Sequence, residues 1–186
     1  MNQPLVETFL ASEESDADRA ELKALSALVW PPSVLSQIKF PVSKPAPCHE
    51  WPFARLARVF ILRCEGRIAA AAHFSPRRIQ TQQGPLDVLA LGGVRTHPDF
   101  RLRGFGAAVV RAAFEYVDNG AFGASLFQTG VQGFYEKLGC RCVDNVFVNS
   151  LGEDPQGRPW WDKVVMIYPA SFAWPEGKVD LLGGAW

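Results

Sequence analysis

The residues from Gly93 to Gly106 run a strand (Gly93, Val94, Arg95, Thr96) into a basic, glycine-broken turn (Arg101, Leu102, Arg103, Gly104) and then into a long apolar helix. That layout predicts an anion cradle. Gly104 and Gly106 let backbone approach a ligand closely, and the first N–H groups of a helix have no intrahelical acceptor. A diphosphate supplies those acceptors, and the helix dipole adds about 0.3–1 kcal/mol when exposed and up to ~2 kcal/mol when partly buried. A triphosphate loop requires Lys and then Ser or Thr after its second glycine, whereas Gly106 is followed by Ala107 and Ala108. A dinucleotide fingerprint requires Gly or Ala where Val109 stands, and no acidic residue follows in a ribose-binding context.

What remains is Arg101-x-x-Gly104-x-Gly106, preceded by a strand and Pro98, and this resembles the acyl-CoA signature of the GNAT superfamily of N-acetyltransferases. Downstream, Ser125 to Gly130 reads as a short strand, and Phe134-Tyr135-x-x-x-Gly139 is similar to the family's second CoA-side helix, with Cys140 where an aromatic residue is more usual. The tail from Trp174 to Trp186 resembles that of nodulation acyltransferases and, more loosely, of aminoglycoside 2'-N-acetyltransferases. The resemblance extends over residues 57 to 186. It implies an α+β GNAT fold: a mixed, mostly antiparallel sheet flanked by helices and splayed between its fourth and fifth strands. It implies acetyl-CoA as co-substrate, with no metal, and transfer of an acetyl or short acyl group to a primary amine by direct attack in a ternary complex. Carried onto this chain, Arg101, Leu102, Arg103, Gly104, Phe105 and Gly106 hold the pyrophosphate, with Ala107 and Phe134 in the same CoA site. Val94 and Thr96 offer backbone N–H groups to the pantetheine arm and the acyl carbonyl, and Tyr135 is the general acid that protonates the departing thiolate.

The base is less legible. An ammonium with a pKa near 10.4 is neutral in only about one part in a few thousand at pH 7, a handicap of roughly 4–5 kcal/mol. Many relatives place a Glu on the strand before the signature, but here Ala90, Leu91, Gly92 and Gly93 occupy that stretch. Asp87 earlier on the strand, Asp180 in the tail and the carboxylate of Trp186 are the candidates, acting directly or through water. His73, near the end of the strand facing the acceptor region, reads as a structural residue, a polar wall or a base; His97, before Pro98, reads as structural. The missing Glu also leaves room for a CoA-binding sensor without turnover, and an exposed strand edge for a peptide-binding module.

These groups require a scaffold, and 186 residues that are 48% hydrophobic are enough to bury one core in one domain, 1–186. Nineteen basic and nineteen acidic side chains cancel, so nothing in the balance calls for nucleic acid or an anionic membrane. A polar, acidic N-terminal stretch and the lack of an apolar run of about 18 residues point to a cytoplasmic location, as a monomer or homodimer. The four cysteines lack metal spacing and read as free thiols, and His49 beside Cys48 does not by itself make a metal site.

Periodicity predicts a helix over 16–29, then an irregular Pro-rich segment over 31–56 that the resemblance places at the acceptor side. Strands follow at 59–63, 68–74 and 88–96, joined by turns at Glu65-Gly66 and Gln83-Gly84-Pro85. The helix over 104–118 carries one solvated stripe, Arg111, Glu115 and Asp118. Strand 123–129, helix 131–138, and strands 141–149 and 163–168 as an antiparallel pair complete the pattern, with a tail over 170–186.

Overall fold

The computed structural model describes residues 5–36 and 56–186. Nine strands form one sheet: β1 (Val6–Leu10), β2 (Arg58–Cys64), β3 (Arg67–Thr81), β4 (Gly84–Thr96), β5 (Ala124–Thr129), β6 (Arg141–Cys142), β7 (Val146–Val148), β8 (Val164–Tyr168) and β9 (Lys178–Asp180). Their order is β1-β2-β3-β4-β5-β8-β6, with β9 also on β3 and β7 on β9. Among the described residues only β4–β5 and β7–β9 run parallel. The mixed, mostly antiparallel α+β architecture is therefore the one the sequence predicts.

Helix α1 (Asp16–Val29) starts where Ser15 accepts from the Asp18 amide at 3.1 Å, with Asp16 and Asp18 favourably placed in its first turn. Leu22 and Leu25 face Val59, Ile61, Ile68 and Ala71 of the sheet. Arg63 fastens the helix to the strands: it pairs with Asp18, with Glu21 at 3.1 Å and with Glu7 at 3.3 Å, while Glu21 also accepts from the Ile68 amide at 2.5 Å. A short helix α2 (Pro32–Leu35) follows, and the rest of the predicted irregular segment, 37–55, lies outside the described residues, as do Cys48 and His49.

On the opposite face lie α3 (Phe105–Asp118) and the short α4 (Gln132–Glu136). Val109, Val110, Ala113, Phe114 and Val117 bury against Phe60, Phe74, Leu89 and Leu91, while Arg111, Glu115 and Asp118 stay exposed as the predicted stripe. A further apolar cluster lies under the tail, where Trp160, Trp174 and Leu181 cover Ile79, Val88 and Leu126.

Three sequence expectations are corrected. β1, unread in the sequence, adds an edge strand to β2. β3 does not stop at Ser75-Pro76 but continues to Thr81; Pro76 falls where that edge has lost β2 at Phe74 and has not yet met β9 at Gln80, so its missing N–H costs no ladder bond. The stretch 141–149 is two strands, and only β6 pairs with β8. The break is held by Asn145, whose amide donates to the Pro175 and Gly177 carbonyls and accepts from the Trp174 indole at 2.7 Å, drawing β7 onto the tail strand β9.

Candidate functional site

The turn before α3 keeps its amides unsatisfied. Gly104 caps the helix at φ +82° and Leu102 sits at φ +63° with a fully exposed side chain. The first helical bond runs from the Ala108 amide to the Gly104 carbonyl, and no backbone acceptor within the described residues serves the N–H groups from Leu102 to Ala107. Arg101 and Arg103 are exposed beside this row, with Arg103 stacked on Phe100 at 5.3 Å. Open amides, a helix N-terminus and two guanidinium groups are the donor set a diphosphate requires.

The two glycines do different work. At Gly104 a Cβ would meet nothing within 4 Å, so its role is the left-handed cap. At Gly106 a Cβ would lie 2.8 Å from Thr96 Oγ1 and 3.8 Å from Phe134, so this glycine lets α3 seat closely against the end of β4. The structure thus assembles Gly106, Thr96 and Phe134 at one point. Phe105 packs near Phe100, and Ala107 and Val94 border the apolar core beneath the helix.

β4 and β5 are paired only from Val88↔Ala124 to Ala90↔Leu126; beyond that, β4 continues to Thr96 with no strand of the described residues on that edge. At the split the Trp186 indole donates to the Leu126 carbonyl at 2.8 Å. On its other edge β4 carries a bulge: Ala71 opposes Arg95 but His73 opposes Gly92, so one extra residue is accommodated around Gly93, at φ +57°. Tyr135, on α4, is buried between Phe127 and Phe134, with ring centroids 4.6 and 4.8 Å away. Burial, with Cys140 and Asp162 nearby, holds its hydroxyl well above the ordinary tyrosine range, so it is a protonated donor at all ordinary pH.

A cleft of about 210 Å³ opens on the α1 side of the bulge, lined by Ala11, Glu14, Leu22, Val59, His73 and Arg95 among others. His73 and Arg95 meet above Gly93: a Cβ there would sit 2.5 Å from His73 Nδ1 and 2.8 Å from Arg95 Nη1, and one on Gly92 would sit 2.9 Å from His73 Nε2. A side chain at either glycine would have to displace the His73 ring, and at Gly93 the Arg95 guanidinium as well. His73 lines the cleft as an exposed residue. Desolvation first, and the charge of Arg95 second, lower its pKa to about 4, leaving a neutral imidazole at pH 7. Arg95 Nη1 donates to the Gly93 carbonyl at 2.7 Å, but its buried Nε–H has no acceptor among the described residues.

The other base candidates lie apart from this cleft. Asp87 accepts from Arg78 Nε and Nη2 at 2.6 and 2.7 Å as a cross-strand pair. Asp180 caps the Ser150 and Leu182 amides. Trp186 packs at 5.0 Å from Trp160 and under Arg77, and an oxygen of its carboxylate accepts from Gln128 Nε2 at 3.1 Å. His97 accepts from the Asp99 amide and caps the turn over Pro98–Phe100. Sequence reasoning missed Arg95, although two successive glycines inside a strand were a signal for a bulge or a close contact. Cys64, Cys140 and Cys142 are free, and burial pushes the Cys140 thiol up to about 12. No helix among the described residues is long and apolar enough to cross a membrane.

A split parallel pair, a bulged strand and an open-amide helix start within a mixed sheet fit the GNAT scaffold that the sequence resembles. The sequence model of the acetyltransferase (GNAT) domain matches residues 18–143, more than half of the chain, and the protein belongs to this family. Its fold is similar to that of Escherichia coli ElaA, with a TM-score of 0.57 and 15% identity over 89% of this chain and 99% of that one. It is also similar to the GNAT family N-acetyltransferase YhbS of Escherichia coli in complex with CoA, with a TM-score of 0.60 and 11% identity over 97% and 92%. A GNAT family acetyltransferase from Brucella melitensis in complex with acetyl-CoA aligns with a TM-score of 0.51 and 17% identity over 75% and 84%. No curated protein matches the chain in sequence.

Proposed function

We propose that this protein, acting as one domain, transfers an acetyl or other short acyl group from CoA to a primary amine of a small molecule or peptide. The observation that carries the reading is the row of unsatisfied N–H groups from Leu102 to Ala107, set at the start of α3 beside the free end of β4. CoA supplies the acyl group as an activated thioester. The amides from Leu102 to Ala107, with Arg101 and Arg103, hold its pyrophosphate, and the backbone N–H groups of Val94 and Thr96 are offered to the arm and the acyl carbonyl, one such donor being worth about 3 kcal/mol. The neutral imidazole of His73 accepts a proton from the attacking amine, directly or through one water. Tyr135 donates its phenolic proton to the leaving sulfur. One C–N bond forms, one C–S bond breaks, and the proton lost by nitrogen balances the one gained by sulfur.

Titration of acetyl-CoA into the protein by calorimetry, followed by thiol detection of free CoA with a panel of primary amines, tests the reading. Binding with amine-dependent release supports it. Binding without release for any amine leaves a CoA sensor, and absence of binding overturns it.

A further inference from the structure

We propose that the cleft over Gly93 is the acceptor subsite and that it takes an amine carrying a carboxylate, of the free amino acid class, with Arg95 binding that carboxylate. This rests on the acyl-transfer reading above and narrows its acceptor.

Arg95 holds more donors than the protein around it uses. One of its five N–H groups is used, by the Gly93 carbonyl, and the buried Nε–H on another side of the fork has no acceptor among the described residues. A carboxylate fits that side of a guanidinium bidentately. Glu14 contributes a favourable field but lies beyond salt-bridge distance and is itself paired with Arg19 at 3.4 Å. A half-buried cation with an orphan donor is costly unless something supplies the missing acceptor. Here the open cleft beside it admits a ligand.

Position and size narrow the ligand. Arg95 and His73 converge on the same glycine of the bulge, so an acid held by the first is one short carbon chain from a proton acceptor at the second. A volume of about 210 Å³ falls below the roughly 300–1,000 Å³ of sites for drug-sized ligands. The lining charges are Glu14 against Arg58 and Arg95, the reverse of what a polycation requires. Arg63 pins α1 to β1, β2 and β3, so the wall formed by Glu14 and Leu22 is preorganised.

The test compares common L-amino acids with their carboxamides, and with spermidine as polycation, by free-CoA release. Acetyl-CoA affinity is measured separately by calorimetry. At least one free acid is expected to exceed its amide by about 10- to 100-fold in kcat/KM. Arg95→Gln should bring that ratio to near one while acetyl-CoA affinity stays unchanged, and Arg95→Lys should restore part of it. With CoA bound, the preferred acid should also show calorimetric heat that Arg95→Gln abolishes. Amides or spermidine used as well as acids, a preference surviving in Arg95→Gln, or no acid accepted by a protein that binds acetyl-CoA would each overturn the proposal. The wild-type ratio needs no variant, so a poorly folding Arg95→Gln does not rescue it. Failure of the wild type to bind acetyl-CoA sinks the acyl-transfer reading instead.

Discussion

Substituting Gly106 by alanine isolates how the cradle is built. The added methyl would stand 2.8 Å from Thr96 Oγ1, well inside contact distance. Thr96 ends β4 and is β-branched, so of its two other staggered rotamers one brings the methyl into the same space. The other relief is for α3 to lift from the strand, which shifts the amides of Phe105 and Ala107 relative to the β4 backbone. Overpacking of this kind costs about 1–3 kcal/mol. For a chain of this size that is a fall in Tm of roughly 2–4 °C per kcal/mol. Acetyl-CoA affinity should drop by about tenfold or more, because both halves of its site move apart. Thr96→Ala removes the obstructing atoms, so the double variant Thr96→Ala, Gly106→Ala should recover most of the affinity, with a coupling beyond the ~0.5 kcal/mol expected of independent sites. Calorimetry of acetyl-CoA on the four proteins of the cycle, alongside thermal melts, measures this. Wild-type affinity in Gly106→Ala, or strict additivity in the cycle, would refute the assignment of Gly106 to close helix–strand packing. Gly104→Ala provides the contrast: no neighbour is touched, and the cost is the left-handed φ alone, about 1–2 kcal/mol, much of which Gly104→Asn should recover.

Tyr135→Phe keeps the buried ring and removes only the donor, so turnover should fall by about 10²–10⁴-fold while acetyl-CoA affinity holds, with partial rescue by an acyl donor of lower thiol pKa; equal turnover would place the acid elsewhere. His73, facing Arg95 from β4, Arg58 from β2 and Glu14 ahead of α1, is neutral above about pH 4. The rate it supports should therefore persist down to about pH 4 and fall below it, and His73→Gln should remove this acidic limb; a wild-type limb at pH 6–7 would contradict the desolvated site. Because the unfolded imidazole takes up a proton below its ordinary 6.5 and the folded one does not, stability should decline as pH falls from 6.5 towards 4, less so in His73→Gln, as read by denaturant melts. Asp87→Asn, which breaks only the Arg78 pair, should leave kcat and its pH profile unchanged; a large loss would return Asp87 to the chemistry.

The cradle was legible because its information is local. A basic run broken by Gly104 and Gly106 ahead of an apolar helix dictates a left-handed cap and unsatisfied amides whatever else the chain does, and the stripe of Arg111, Glu115 and Asp118 places α3 on a sheet. The placement of Tyr135 on a short helix after β5 followed from its motif in the same way. The acceptor side was not legible. Arg95 and His73 are brought together by the pairing of β3 with β4, and the bulge at Gly93 shifts that register by one residue, which decides the face on which each side chain emerges. Read from the sequence, Gly92 and Gly93 marked only the lack of a Glu; in the structure they are the space into which two other side chains fold. Likewise Asn145 divides 141–149 through bonds to Pro175, Gly177 and Trp174, partners that no local pattern announces. Dihedral preference and helix-end chemistry act over a few residues and can be read along the chain. Strand register, and the choice of which charge is left without a partner, depend on contacts between distant segments, and only the folded sheet decides them.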